Sequence, residues 1–155
     1  METETKRNNS TITAVIAAVA AAVLLVIGWL LPMVKLFGEP VSIFRVADMV
    51  GGSNGAAAKA GYVTIVVICA ISILWAAIPK KWAAIVGIVY SLIPMGLTIY
   101  QLYSWTSNDT ELAFGSILAV VMSVAVLILS IVKLVVLINA KKPRLPETDR
   151  ENLFE

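Results

Sequence analysis

The sequence of 155 residues holds no histidine, one cysteine and only 14% charged residues. Without histidine the chain lacks the commonest general base, proton shuttle and metal-ligating ring. The lone Cys69 excludes an internal disulfide and a cysteine-rich zinc site, and its apolar run reads it as a small buried hydrophobe. Twelve Lys+Arg against ten Asp+Glu leave a net charge of +2, too small for an electrostatic grip on nucleic acid. No catalytic residue, cofactor or metal is expected, and nucleic acid is not an expected partner.

What the chain has in excess is oil. Hydrophobic residues make up 59% of it and the mean hydropathy is +0.90, whereas a soluble domain has about 45–50% apolar and about 25% charged residues. A chain this short has too much surface to hide that excess inside itself. The surplus must face lipid.

A hydrocarbon core of about 30 Å takes about 20 helical residues. Four uncharged windows reach that length: residues 8–34, 60–79, 82–108 and 112–132. They are continuous rather than alternating, which selects helices over barrel strands. The expected fold is an all-α integral membrane protein, a four-transmembrane-helix bundle with spans at about 11–32, 61–79, 82–104 and 113–139. Residues 1–10 form an N-terminal segment, 33–60 an outer loop and 141–155 a tail. Lys6 and Arg7 followed by Ala18-Val19-Ala20 suggest a signal peptide. The apolar run continues through Leu24 and Ile27 to Trp29 and Pro32, longer than such a segment needs, so it reads as a retained helix.

Basic residues orient the spans. Lys6 and Arg7, the Lys80-Lys81 turn, and Lys141, Lys142 and Arg144 all fall on one side of a four-span protein, which predicts both termini in the cytoplasm. The general look is of a bacterial inner or plasma membrane protein. Lys141, Lys142 and Arg144 form a juxtamembrane cluster suited to anionic lipid headgroups. Lys133 interrupts the last apolar run near the inner boundary. Its stem is expected to snorkel to the headgroups, and its alternative is a place inside the bundle.

Lipid tails are as apolar as leucine, so helices associate in a membrane through close backbone approach. Small residues recur at four-residue steps: Ala14, Ala18 and Ala22 on the first span, Ala83, Gly87 and Ser91 on the third, Gly115, Ala119 and Ser123 on the fourth. These are the expected packing faces, with an oligomer contact as the other use of any one of them. Pro94 removes the N–H that would bond Tyr90 and is expected to kink the third span. Trp29, Tyr62, Tyr100, Tyr103 and Trp105 read as an outer aromatic belt, with Trp75 and Trp82 as the inner one.

The outer loop is the expected seat of specificity. Val34 to Pro40 reads as an extended or turning stretch. Ser42 caps a short helix from Ile43 to about Val50 in which Ile43, Val46, Ala47 and Val50 share one face and Arg45 and Asp48 the other. An amphipathic helix of this kind lies on the outer membrane surface or covers the end of the bundle. Gly51 to Gly55 reads as a flexible terminator, and no Gly-Lys-Ser/Thr follows to make it a phosphate loop. Phe37, Ile43, Phe44, Val46 and Val50 are the candidate partner-binding residues.

Gly28-Trp29-Leu30-Leu31-Pro32, Phe37-Gly38 and Val41-Ser42-Ile43-Phe44 resemble segments of small bacterial four-span membrane proteins of unassigned function. The likeness covers about a third of the chain and implies no activity. In topology alone the chain also resembles claudins, but it has neither their outer Trp and cysteine pair nor the outer sheet these imply.

Function follows from this inventory. The spans contain no Asp, Glu or His, which argues against an enzyme and against a proton-coupled exporter. A homo-oligomeric channel or small transporter is the alternative, its passive pore lined by Thr64, Ser72, Ser91, Thr98, Gln101, Ser116, Ser123 and Ser130. Small hydroxyls also satisfy themselves within a helix, so the expected function is non-enzymatic: an accessory, scaffold or regulatory subunit. Its expected partners are membrane lipids and another membrane protein or a second copy of itself.

Overall fold

The computed structural model describes residues 2–108 and 110–140, with side chains from residue 8 onward. Lys141, Lys142, Arg144 and the rest of the tail lie outside the described residues, as do Asp109 and the side chains of Lys6 and Arg7. The chain is nearly all helical. Four long helices, α1 (Glu2–Leu30), α3 (Gly52–Ala77), α4 (Lys81–Ser107) and α5 (Phe114–Ala140), are joined on one side by a hairpin, β1 (Val34–Leu36) and β2 (Glu39–Val41), and a short helix, α2 (Ile43–Val50). All four long helices are long and apolar enough to cross a membrane, and only 22–33% of each apolar window is buried inside the chain. Apolar surface left uncovered on that scale needs lipid.

The long helices form a ring in which α1 packs against α5 and α3, and α4 against α5 and α3. All nine small residues of the packing faces are buried, from Ala14, Ala18 and Ala22 through Ala83, Gly87 and Ser91 to Gly115, Ala119 and Ser123. A Cβ on Gly28 would stand 3.0 Å from the Ala119 nitrogen, so the α1–α5 crossing rests on a glycine not among those nine. Pro94 is buried within a continuous α4, and the Thr98 hydroxyl donates to the Pro94 carbonyl one turn back.

Three features of residues 33–60 depart from the sequence expectation. The stretch from Val34 is a two-stranded sheet, not merely extended chain, with Val34 opposite Val41 and Leu36 opposite Glu39. Its other edge joins the α4–α5 connection: Lys35 N–H donates to the Glu111 carbonyl at 2.8 Å, and Ala113 N–H to the Met33 carbonyl at 3.1 Å. Pro40 sits on the outer strand, where the missing N–H breaks no ladder bond. Finally, Gly51 to Gly55 is not a flexible terminator. Gly51 does end α2, but the turn takes only Gly51 and Gly52, at φ 65° and 57°, and α3 starts at Gly52, so the loop is about nine residues shorter than its composition suggests. Ala56-Ala57-Ala58 favour helix, and Gly55 fits under α2 against the Ala47 carbonyl, where a Cβ would collide.

Candidate functional site

The hairpin turns through two residues, Phe37 and Gly38, at φ 53° and 84°. Two consecutive left-handed residues make the turn whose twist matches a hairpin, and Asn-Gly or Gly-Gly is its usual sequence. Phenylalanine there sustains a strain of about 1 kcal/mol that glycine avoids. Its ring is also fully exposed (105%), so contacts within the chain do not offset the strain. An aromatic side chain at the outermost point of a strained turn is the most conspicuous departure from folding economy on this surface.

Behind the tip, α2 is anchored rather than free. The Ser42 hydroxyl accepts from Arg45 N–H at 3.4 Å and its carbonyl from Val46 N–H at 3.1 Å. Ala47 is buried, Ile43 and Val46 are half-buried, and the Phe44 ring meets the Tyr62 ring edge-on at 4.6 Å. Val50, placed by its spacing on the inward face, is instead exposed together with Met49. Of the five candidate partner-binding residues, Phe37, Phe44 and Val50 are thus at the surface, and Ile43 and Val46 serve partly to hold α2 down. Two exposed ion pairs tie the ends: Lys35 with Glu111 at 3.3 Å, and Lys59 on α3 with Asp48 on α2. These pairs engage two of the loop carboxylates, and among the described residues no group of three metal-ligating side chains comes together.

Beneath α2 the aromatic belt assigned from sequence is partly core. Trp29 (0% exposed) and Tyr62 (3%) face each other across α1 and α3 with ring centroids 6.2 Å apart, and Trp105 packs on the same cluster. Tyr100, Tyr103 and Trp82 are exposed. The indole N–H of Trp29 and the hydroxyl of Tyr62 are buried with no hydrogen-bond partner, as are the indole N–H of Trp75 and Oε1 of Gln101. Each such group costs about 1–3 kcal/mol when left unsatisfied.

At the opposite end of the bundle the structure corrects the placement of Lys133. It turns into the bundle, the alternative to snorkelling. It is buried (1% exposed), and its stem crosses the interior from α5 to α3, where Nζ donates to the carbonyls of Trp75 and Ala76, each at 2.8 Å. These carbonyls lie in the last turn of α3, which has no further turn to supply N–H donors. The ammonium there also meets the negative end of the helix dipole. A cation is tolerated at this depth because two carbonyls without helical donors await it. Four other buried hydroxyls bond their own helix or the residue just ahead of it: Ser91, Ser116 and Ser123 donate three residues back, to Ile88, Ala113 and Val120, and Ser72 four back to Ile68.

Comparisons with known protein families, with curated proteins and with solved structures find no match for this chain. The site must therefore be read from its geometry. Sequence reasoning missed the sheet and the aromatic core under α2, and offered the bundle interior for Lys133 only as the alternative to snorkelling. The Phe37-Gly38 pair between two short apolar-alternating stretches was a usable hairpin signal. The target of Lys133, 57 and 58 residues away in sequence, left no local signal.

Proposed function

We propose that this chain is a non-enzymatic integral membrane protein that acts as an accessory, scaffold or regulatory subunit, binding another membrane protein through its hairpin. The observation that carries the reading is Phe37, an aromatic ring held fully exposed on a backbone conformation that favours glycine or asparagine. Tyrosine, tryptophan and phenylalanine are the side chains that interfaces use as anchors. Phe44, Met49 and Val50 on α2, the element that follows the hairpin, are also exposed. The hairpin end faces outward and both termini face the cytoplasm, in a bacterial inner or plasma membrane, by the distribution of Lys and Arg. In that setting α2 is the amphipathic helix at the outer membrane surface, with Arg45 and Asp48 towards water. The channel reading has less support, because the buried hydroxyls of Ser72, Ser91, Ser116 and Ser123 are spent on carbonyls three or four residues back in the chain.

Purification in mild detergent tests this with F37N, which suits the turn and removes the ring. The expected result is a stoichiometric partner with the natural chain and its loss with F37N, while the variant melts no lower. Retention of the partner by F37N overturns the role of the tip, and a homo-oligomer that conducts ions in a planar bilayer overturns the accessory reading. Orientation is tested separately. A cysteine at Asn108 is expected to react with an impermeant thiol reagent on intact cells, and one at Lys80 is not. Cys69 is buried and stays silent.

A further inference from the structure

We infer that Trp29 and Tyr62 form a buried site for one oxygen acceptor of a neutral molecule. The two side chains come from different helices, α1 and α3, and their ring centroids lie 6.2 Å apart with the planes tilted by 53°. Both residues are more than nine-tenths buried, and neither the indole N–H nor the phenol finds a partner. Buried polar groups are almost always satisfied, so two orphans on adjacent rings point to a partner from outside the chain. The chemistry of that partner follows from the donors. An indole nitrogen only donates, and a phenol donates as readily as it accepts, so the complementary atom is an oxygen with two lone pairs.

The surroundings select against charge. Leu25, Met33, Cys69 and Ala119 line the same cluster, with Ile43 of α2 packed on it. Among the described residues the one buried charged side chain is Lys133, and its ammonium is held by the Trp75 and Ala76 carbonyls, so no buried charge is free to balance an anion beside Trp29 and Tyr62, and a bare ion in apolar surroundings is strongly disfavoured. A neutral oxygen meets both requirements. Two sources supply it: a water molecule, or the carbonyl or hydroxyl of a lipid-soluble molecule entering between the helices. Phe44, edge-on to Tyr62, together with Ile43 places α2 as the roof of the site.

The full-length protein in lipid nanodiscs, labelled with nitrogen-15 at its four tryptophans, provides the test. The Trp29 indole resonance is assigned by its loss in W29F or, if that variant does not fold, by elimination with W75F, W82F and W105F. It is expected in the hydrogen-bonded downfield range, and Y62F is expected to shift it while leaving the other three in place. A cross-peak to solvent identifies water as the source. A saturable shift on adding 2-methyl-1,4-naphthoquinone, a neutral lipid-soluble dicarbonyl, that is absent in Y62F identifies a lipid-soluble ligand. A Trp29 resonance in the unbonded range, or a downfield one indifferent to Y62F, overturns the inference.

Discussion

The two ends of the bundle handle charge in opposite ways. At the hairpin end, four charged side chains stand in two exposed pairs, Lys35–Glu111 and Lys59–Asp48, each linking segments that backbone bonds or apolar contacts already join. At the opposite end one cation, Lys133, lies inside, in no ion pair among the described residues, and is held by two helix-end carbonyls. Exposed pairs are screened by water and contribute little, about 0–1 kcal/mol. The buried ammonium is another matter, since its charge-assisted bonds lie where water is absent. The hairpin end is therefore adjustable at small cost, and the opposite end is fixed.

The largest test of that contrast is Lys133 itself. Alanine removes the ammonium and the stem together, leaving two carbonyls without donors and a gap between α3 and α5. A loss of about 3–5 kcal/mol is expected, seen as a clear fall in melting temperature in detergent. Methionine keeps the apolar stem and relieves the buried charge, so K133M is expected to lose less, about 1–3 kcal/mol. If K133A and K133M melt like the natural chain, the fixed end is not fixed by this residue.

The next effect distinguishes two glycines. A Cβ on Gly115 would stand 2.5 Å from the Pro32 carbonyl oxygen, the same oxygen that accepts from Gly115 N–H at 2.9 Å. Backbone cannot step aside easily, so G115A is expected to destabilise by about 1–3 kcal/mol. A Cβ on Gly87 would meet Trp75 Cβ at 3.5 Å and Ser130 Oγ at 3.8 Å, which is ordinary contact. G87A is expected to be neutral or slightly stabilising through helix propensity, and comparable losses in both variants would contradict the geometry.

The part of the fold that local chemistry governs is legible in the amino-acid sequence. The four long helices follow from runs of apolar residues, and the cap at Ser42 from a hydroxyl ahead of Ile43. Elements that depend on tertiary contact are not legible in the same way. Gly52 to Gly55 looks like a breaker alone and becomes helix because Ala47 packs onto Gly55. The sheet depends on the 111–113 segment, remote in sequence, to occupy its second edge. At the site, Phe37 stands out as a candidate from its sequence position, but its left-handed backbone does not, and that conformation is what sets it apart from an ordinary exposed aromatic. Trp29 and Tyr62 look like belt residues because membrane aromatics usually are; only the approach of α1 to α3 makes them core.

At the tip, F37N is expected to raise stability by up to about 1 kcal/mol, because asparagine accepts the left-handed region more readily. The ion pairs come last. D48N and E111Q are each expected to change stability by less than about 1 kcal/mol, and the change should shrink at about 1 M salt, where the screening length falls to about 3 Å. The natural chain titrated with salt gives the matching control, since its melting temperature should fall only by what the two variants lose at low salt. A loss of several kcal/mol from either variant would mean that α2 or the hairpin is held by its surface charges after all. The hairpin end would then be as rigidly specified as the end that Lys133 secures, and a strained, exposed Phe37 would sit on a platform built to keep it still.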